Sequence, residues 1–254
     1  MAPVPTDGKQ MTKPTIDGSN EHRTVSRVMH ILEFVADSEQ SVRLADIANE
    51  LSAPRSSVHG LVHGLVSTGY LRSTAGGRYT LGGAISVLVL HSPVSDPGIR
   101  AAMETLNLEF DETVILTVMV GESMVAVDAI ESSNAIRYSP TIGARRPLYP
   151  TSAGKCFLAN AALNYRERYL ERKFPTAGER DEVIRELLQV RENGFAVNRG
   201  DTIADLHAVT VPIFAGLTVT SAITVAGPTS RIEENLDQIV IAARNAASHA
   251  SRSR

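Results

Sequence analysis

APRSSVHGLVHGLVSTGYL, residues 53–71, repeats apolar residues at the spacing of one helical face and also contains four residues that weaken helices, Pro54, Gly60, Gly64 and Gly69. The apolar positions are Val58, Leu61, Val62, Leu65 and Val66. Gly60 and Gly64 fall on the polar side, where each costs about 0.8–1 kcal/mol relative to alanine. Close approach of this face to another large surface is one reason to place glycine there.

Two shorter patterns precede this helix. The stretches RTVSRVMHILEFVADS, residues 23–38, and LADIANELS, residues 44–52, each carry apolar residues at helical spacing. Ser52 and Ala53 then form a tight turn, and Pro54 suits the first turn of the next helix. Helix, short helix, tight turn and helix is the helix-turn-helix arrangement, whose second motif helix enters the DNA major groove.

A hairpin is predicted directly after the third helix. YLRS and RYTL, residues 70–73 and 78–81, have the pattern of short strands, and Ala75, Gly76 and Gly77 supply the turn between them. A hairpin in this position is a wing, so we predict a winged helix-turn-helix DNA-binding domain over residues 21–82.

The distribution of charge favours a polyanionic partner. The formal net charge is −3, but residues 51–95 contain no Asp or Glu. Carboxylates are therefore missing where phosphates would lie. We expect double-stranded operator DNA as the partner, contacted by Arg55, Ser56, Ser57, His59, Gly60, His63, Arg72 and Arg78.

Two alternatives compete with DNA binding. Winged helices also serve as protein-interaction modules, although the acid-free segment would then have no evident purpose. His59 and His63 have the spacing of a zinc pair, but Gly60 stands where the metalloprotease motif needs a glutamate, and no third ligand is evident. We therefore predict no metal site.

Composition indicates a soluble, cytoplasmic protein. The 254 residues are 43% hydrophobic and 21% charged, and Cys156 is the single cysteine, which excludes an intramolecular disulfide. No apolar stretch reaches the roughly 18–20 residues that span a bilayer, so no membrane partner is expected. The polar, proline-containing residues 1–20 are expected to be a disordered leader.

The rest of the chain predicts a linker helix, residues 83–95, and a larger antiparallel α+β domain, residues 96–254. TVILTVMV and SMVAVDAI are strands of a hairpin that turns at Gly121 and Glu122. An amphipathic helix, GIRAAMETLNLEFDE, residues 98–112, precedes this hairpin. The remaining predicted elements are a helix capped by Thr151 or Ser152, a charged helix ended by Gly194, the strands HAVTVPIF and TVTSAITVAGP, and a last helix from Ser230 to about Ser248.

No catalytic constellation is convincing. In SAGKC, Tyr149 occupies the position of the first glycine of a phosphate-binding loop, and Cys156 stands where Ser or Thr would bind magnesium. Cys156 lies in an apolar helix and is expected to be an inert buried thiol. An enzyme fused to a DNA-binding module, acting through Cys156 or through Asp201, Asp205 and His207, stays an alternative. No cofactor is predicted.

Residues 23–247 resemble the IclR family of bacterial transcription regulators. The motifs are APRSSVHGLVHGLVSTGYL, GRYTLG, GARRPLYPTSAGKCFLAN, RENGFAV and AITVAGP, in this order. The resemblance implies a GAF-like effector-binding domain and small organic effectors that alter operator binding. It also implies dimers made through the amino-terminal module and linker helix, often paired into tetramers. We predict a repressor rather than an activator.

The resemblance also implies an effector pocket with altered chemistry. Family members that bind small 2-oxo acids place a Gly-Ala pair, an Asp, a Cys and two serines where this chain has Ser152, Ala153, Asn198, Ala208, Thr224 and Ala226. Because several polar groups are lost, we expect a larger or more apolar effector, an aromatic or carboxylic compound. Tyr138, Leu148 and Tyr149 are expected as apolar walls, and Asp201 and His207 as further effector-binding residues.

Overall fold

A computed structural model describes residues 22–90 and 96–252. The predicted leader, residues 1–20, lies outside the described residues. The chain divides into two compact units, residues 1–95 and residues 96–254. Each unit has its own architecture.

The first unit contains the three predicted helices, with ends shifted by one or two residues. These are α1 (Arg23–Asp37), α2 (Leu44–Glu50) and α3 (Arg55–Ser67). Pro54 is the residue before α3 rather than part of its first turn, because its backbone is extended with φ −58° and ψ 136°. The apolar stripes of the helices meet in one core that includes the fully buried Ile31, Ile47 and Val58.

The wing is present and carries one strand that sequence reasoning missed. The hairpin consists of β2 (Leu71–Thr74) and β3 (Arg78–Leu81), and β1 (Val42–Arg43) pairs with the other edge of β3. Two residues are too few to show the alternation of a strand. The short helix α4 (Ala84–Leu90) follows at the position of the predicted linker helix.

The second unit is built on one antiparallel sheet of six strands in the order β6-β5-β4-β9-β8-β7. The strands are β4 (Thr113–Val120), β5 (Ser123–Ile130), β6 (Arg145–Pro147), β7 (Ala196–Arg199), β8 (Leu206–Ala215) and β9 (Thr218–Pro228). Consecutive residues of the central strand β9, from Ser221 to Gly227, are buried. Both faces of the sheet centre are therefore covered.

Six helices accompany this sheet: α5 (Pro97–Phe110), α6 (Ser152–Asn160), α7 (Leu163–Lys173), α8 (Ala177–Asn193), α9 (Thr229–Glu234) and α10 (Leu236–Arg252). The helix predicted from Ser230 to Ser248 is in fact two helices that meet at Asn235. Helix α7 and the short strands β6 and β7 were not predicted. The mixed α+β fold class is confirmed.

The start of α6 is fixed by two local features. The Thr151 side chain accepts a hydrogen bond from the Gly154 amide at 3.1 Å, which confirms Thr151 as the cap. A Cβ at Gly154 would lie 1.8 Å from the Leu148 carbonyl oxygen. Only glycine permits the first turn of α6 to pack this closely on the preceding loop.

Candidate functional site: a DNA-reading helix and a ligand cavity

Helix α3 separates buried apolar residues from an exposed polar stripe. Val58, Val62 and Leu65 are buried in the core of the first unit. The exposed side carries every residue of α3 that was predicted to contact DNA: Arg55, Ser56, Ser57, His59, Gly60 and His63. The first turn of α3 and its exposed stripe face away from the core. They present guanidinium, hydroxyl and imidazole groups, which can contact base edges and phosphates.

The exposed stripe of α3 contains two positions without a side chain, Gly60 and Gly64. A Cβ added at Gly60 or at Gly64 would meet no atom within 4 Å, so neither glycine is required by packing inside the protein. The His59 and His63 rings lie beside them, stacked with centroids 6.2 Å apart. Within the described residues, no group of three His, Cys, Asp or Glu side chains could hold a metal ion there or elsewhere.

The two wing arginines have different surroundings. Arg72 is exposed on β2, as a phosphate contact requires. Arg78 is half-buried, and its Nη1 donates a hydrogen bond to the Ser41 carbonyl oxygen at 2.7 Å. Arg78 therefore also fixes the segment before β1. Its guanidinium has this structural role in addition to any contact with DNA.

The second unit contains a cavity between the sheet, the first turn of α6 and the loop that joins β7 to β8. Seven of the ten residues predicted to bind the effector line it: Tyr138, Ser152, Ala153, Asn198, Ala208, Thr224 and Ala226. They come from five parts of the chain that the fold brings together: the segment between β5 and β6, helix α6, and strands β7, β8 and β9. Sequence reasoning missed several other lining residues, among them Ile115, Thr117, Met124, Arg146, Thr202 and Ile203.

The other three predicted residues lie elsewhere. Leu148 is fully buried in the core that packs around α6. Nδ1 of His207 lies 3.0 Å from Oε1 of Glu233, which also pairs with Arg199. Asp201 accepts a hydrogen bond from Nζ of Lys155 at 3.1 Å. Packing holds Leu148 in the core, and the ion pair with Lys155 holds Asp201. His207 lies between Leu206 and Ala208 on β8, and because both of these line the cavity, its side chain projects from the opposite face of the strand.

Lys155 is the centre of a charged cluster beside the cavity. Its side chain is only 3% exposed, and its ammonium group lies 2.6 Å from Glu186 and 3.1 Å from Asp201. The Tyr149 hydroxyl donates to Glu186 at 2.9 Å, and burial together with this carboxylate raises the pKa of Tyr149. Tyr149, expected as a cavity wall, thus belongs to this cluster. Through Asp201 the cluster ties down the loop whose next residue, Thr202, lines the cavity.

Hydrogen bonds hold the polar side chains of the cavity wall. The Thr210 hydroxyl lies 2.8 Å from the Ser152 hydroxyl and 2.8 Å from the Thr224 hydroxyl. The Asn198 amide donates to the Pro150 carbonyl oxygen at 2.9 Å. These hydrogen bonds fix the rotamers of Ser152, Thr224 and Asn198, so the polar part of the wall is preorganised.

Cys156 has the properties of a structural residue. It is fully buried, its Sγ lies 3.4 Å from the Thr210 carbonyl oxygen, and burial raises the pKa of its thiol to about 12. A nucleophilic cysteine needs a depressed pKa and an exposed sulfur. Neither condition holds here.

A winged helix with an exposed reading face, followed by a unit that encloses a small cavity, is the architecture of a transcription regulator. The comparisons with known proteins specify the class. The model for the IclR helix-turn-helix domain matches residues 24–75, and the model for the carboxyl-terminal domain of bacterial IclR transcriptional regulators matches residues 98–252. The chain belongs to the IclR family. It is a DNA-binding transcription regulator and not an enzyme.

Relatives and solved structures agree with this assignment. The transcriptional repressor IclR of Escherichia coli is 25% identical over 249 residues, which cover 92% of this chain and 91% of the relative. The regulator KipR of Bacillus subtilis is 26% identical over 246 residues, covering 92% and 97%. An IclR homologue from Microbacterium hydrocarbonoxydans, solved with 4-hydroxybenzoate, has a TM-score of 0.71 at 22% identity and covers 91% of this chain and 100% of that one. None of the described helices of this chain is long and apolar enough to cross a membrane.

Proposed function

We propose that this protein is a repressor that binds a near-palindromic operator as a dimer and changes its operator affinity when a small organic effector binds in the second unit. The observation that carries the proposal is the exposed polar face of α3, in which Ser56, His59, Gly60 and His63 face away from the core. Two such helices in a dimer would reach major-groove segments about 34–36 Å apart. Acting on DNA, the protein would work in the bacterial cytoplasm.

Exposed apolar side chains in the first unit support self-association. On α1, Val25 and Met29 are 58% and 51% exposed and lie one turn apart on the same face, and Leu88 on α4 is 58% exposed. A second copy of this chain is the occupant we propose for these faces, because a two-fold operator calls for a two-fold protein. Light scattering of Met29→Glu and Leu88→Glu variants tests this: both should shift the protein towards monomers, and unchanged dimers or tetramers would contradict it.

The effector is proposed to be an aromatic or carboxylic compound. The cavity wall combines the aromatic ring of Tyr138 with apolar side chains such as Ile115 and Ile203 and with the hydroxyls of Ser152 and Thr224. The structural relative that carries 4-hydroxybenzoate makes this compound a reasonable first probe. Effector binding changes operator affinity only to the extent that it distinguishes two states of the protein, commonly by about 1–3 kcal/mol.

The experiment that tests the proposal is fluorescence anisotropy with the DNA upstream of the protein's own gene, compared with a scrambled duplex of the same length over a range of salt concentrations. We expect tight, sequence-selective binding that weakens steeply with salt, because phosphate contacts release counterions. Weak and equal binding to both duplexes would contradict the proposal. If no duplex shows salt-sensitive binding, a protein-interaction role for the winged helix would be favoured.

A further inference from the structure

Among the described residues that line the cavity, Arg146 is the one charged side chain, and none of them is Asp, Glu, Lys or His. It is half-buried. Across the described parts of the chain, no hydrogen bond or ion pair to its guanidinium is present; its one contact of this kind is with an aromatic ring. Other arginines of the unit differ: Arg100 lies 2.7 Å from Asp128, and Arg231 forms a two-pronged pair with Glu112.

The register of the sheet turns this side chain towards the cavity. Arg146 on β6 lies directly opposite Met124 on β5, and directly opposed residues project from the same face of a sheet. Met124 also lines the cavity, and its sulfur lies 3.2 Å from the Thr151 hydroxyl at the start of α6. The neighbouring Arg145 projects from the other face, where its Nη1 donates to the Val120 carbonyl oxygen at 3.3 Å.

The aromatic contact orients the guanidinium without using its hydrogen-bond donors. The Arg146 Cζ lies 6.0 Å from the centroid of the Tyr138 ring, within the range of a cation–π interaction. Tyr138 is itself held by the Thr113 hydroxyl, which donates to the Tyr138 carbonyl oxygen at 2.6 Å. A guanidinium held over a ring keeps its N–H edge available, and this edge matches the two oxygens of a carboxylate.

We propose that the cavity binds an organic monoacid whose carboxylate pairs with Arg146 and whose apolar body lies against Tyr138, Ile115, Ala126 and Ala226. A single carboxylate neutralises the one charge of the wall, and its two oxygens match the N–H edge of the guanidinium. The inference rests on the proposed effector role of this cavity and specifies the charge and the binding group of the effector.

The test compares acids with their neutral amides on the full-length protein by isothermal titration calorimetry. The probe pairs are benzoate with benzamide, and 4-hydroxybenzoate with 4-hydroxybenzamide. We expect at least one acid to bind about tenfold or more tightly than its amide. In Arg146→Gln, affinity for the acid should fall by about 10- to 100-fold, the range of charge-assisted hydrogen bonds, while affinity for the amide stays unchanged.

Arg145→Gln is the matched control, because it removes the same charge from the opposite face of the same strand. It should retain the preference for the acid, and Arg146→Lys, which keeps the charge but not the planar fork, should lie between wild type and Arg146→Gln. Equal binding of acid and amide by the wild type, an acid affinity that Arg146→Gln leaves unchanged, or no binding of either acid would overturn the inference.

Operator binding by the same preparations separates this inference from the proposed function. Circular dichroism and urea unfolding that match those of the wild type show that Arg146→Gln is folded. If the wild type binds no operator, the proposed function fails, while the comparison of acid with amide still decides the role of Arg146.

Discussion

Replacing Gly60 by alanine should make the protein more stable and a weaker DNA binder. Gly60 is exposed in the middle of α3, and an added Cβ meets no atom within 4 Å. Alanine in an exposed helix interior is favoured over glycine by about 0.8–1 kcal/mol. The free energy of unfolding should rise by this amount, because no packing loss opposes it.

The same methyl group should lower operator affinity. Gly60 lies in the polar stripe beside His59 and His63, so its Cβ would project towards the DNA. If the helix must shift to accommodate the methyl group and loses one base contact, the cost is about 1–3 kcal/mol, or roughly 5- to 150-fold in Kd. Gly64→Ala is the matched control, since its Cβ is equally unobstructed but lies one turn further from the amino-terminal end of the reading helix.

Two measurements on each variant decide the matter: urea unfolding followed by circular dichroism, and anisotropy titration with operator DNA. We expect both variants to be stabilised and Gly60→Ala to lose clearly more affinity than Gly64→Ala. An operator Kd for Gly60→Ala equal to that of the wild type, at raised stability, would refute the reasoning that glycine is needed there for close approach to the duplex.

Three further predictions concern charge and burial. Arg55→Ala should weaken operator binding and lower the slope of log K against log salt by about 0.9, the value for one phosphate contact; an unchanged slope in the anisotropy series would remove Arg55 from the interface. Hydrogen bonds from Ser133 lower the pKa of Asp111, so the ionised carboxylate stabilises the fold above its unfolded pKa, and this stabilisation is lost as pH falls through the folded pKa. At neutral pH, Asp111→Asn should therefore unfold at a lower urea concentration than the wild type, and this difference in midpoint should shrink as the pH falls. A difference that does not depend on pH would show that the charge of Asp111 does not supply the stabilisation. Because burial raises the pKa of Cys156 to about 12, Ellman's reagent should label the protein only after denaturant is added, and prompt labelling of the native protein would contradict the buried position.

Long periodic segments of this chain could be predicted from sequence, and short ones could not. The apolar stripe of α3 extends over several turns, and the turn at Gly121 separates two strands of eight residues each. Strand β6 has three residues and β1 has two, so their alternation is invisible without a partner strand.

Contacts between distant parts of the chain also decide which residues line the cavity. Ser152 and Ala153 could be placed by the family motif, because they stand at the start of a capped helix. Arg146 could not, because the face to which it points depends on its register with Met124. Asp201 and His207 were assigned to the pocket, but an ion pair with Lys155 holds Asp201 elsewhere. His207 projects from the face of β8 opposite to Leu206 and Ala208, which line the cavity.

The close contact of Gly154 with the carbonyl oxygen of Leu148 limits how this sensor can acquire a new ligand. Ser152 and Ala153 face the cavity, and changes in their side chains alter its shape and polarity directly. Any side chain at position 154 would push the first turn of α6 off its support and move both neighbours together. The shape of the cavity can therefore change in small steps at positions 152 and 153, on a backbone that Gly154 keeps in register.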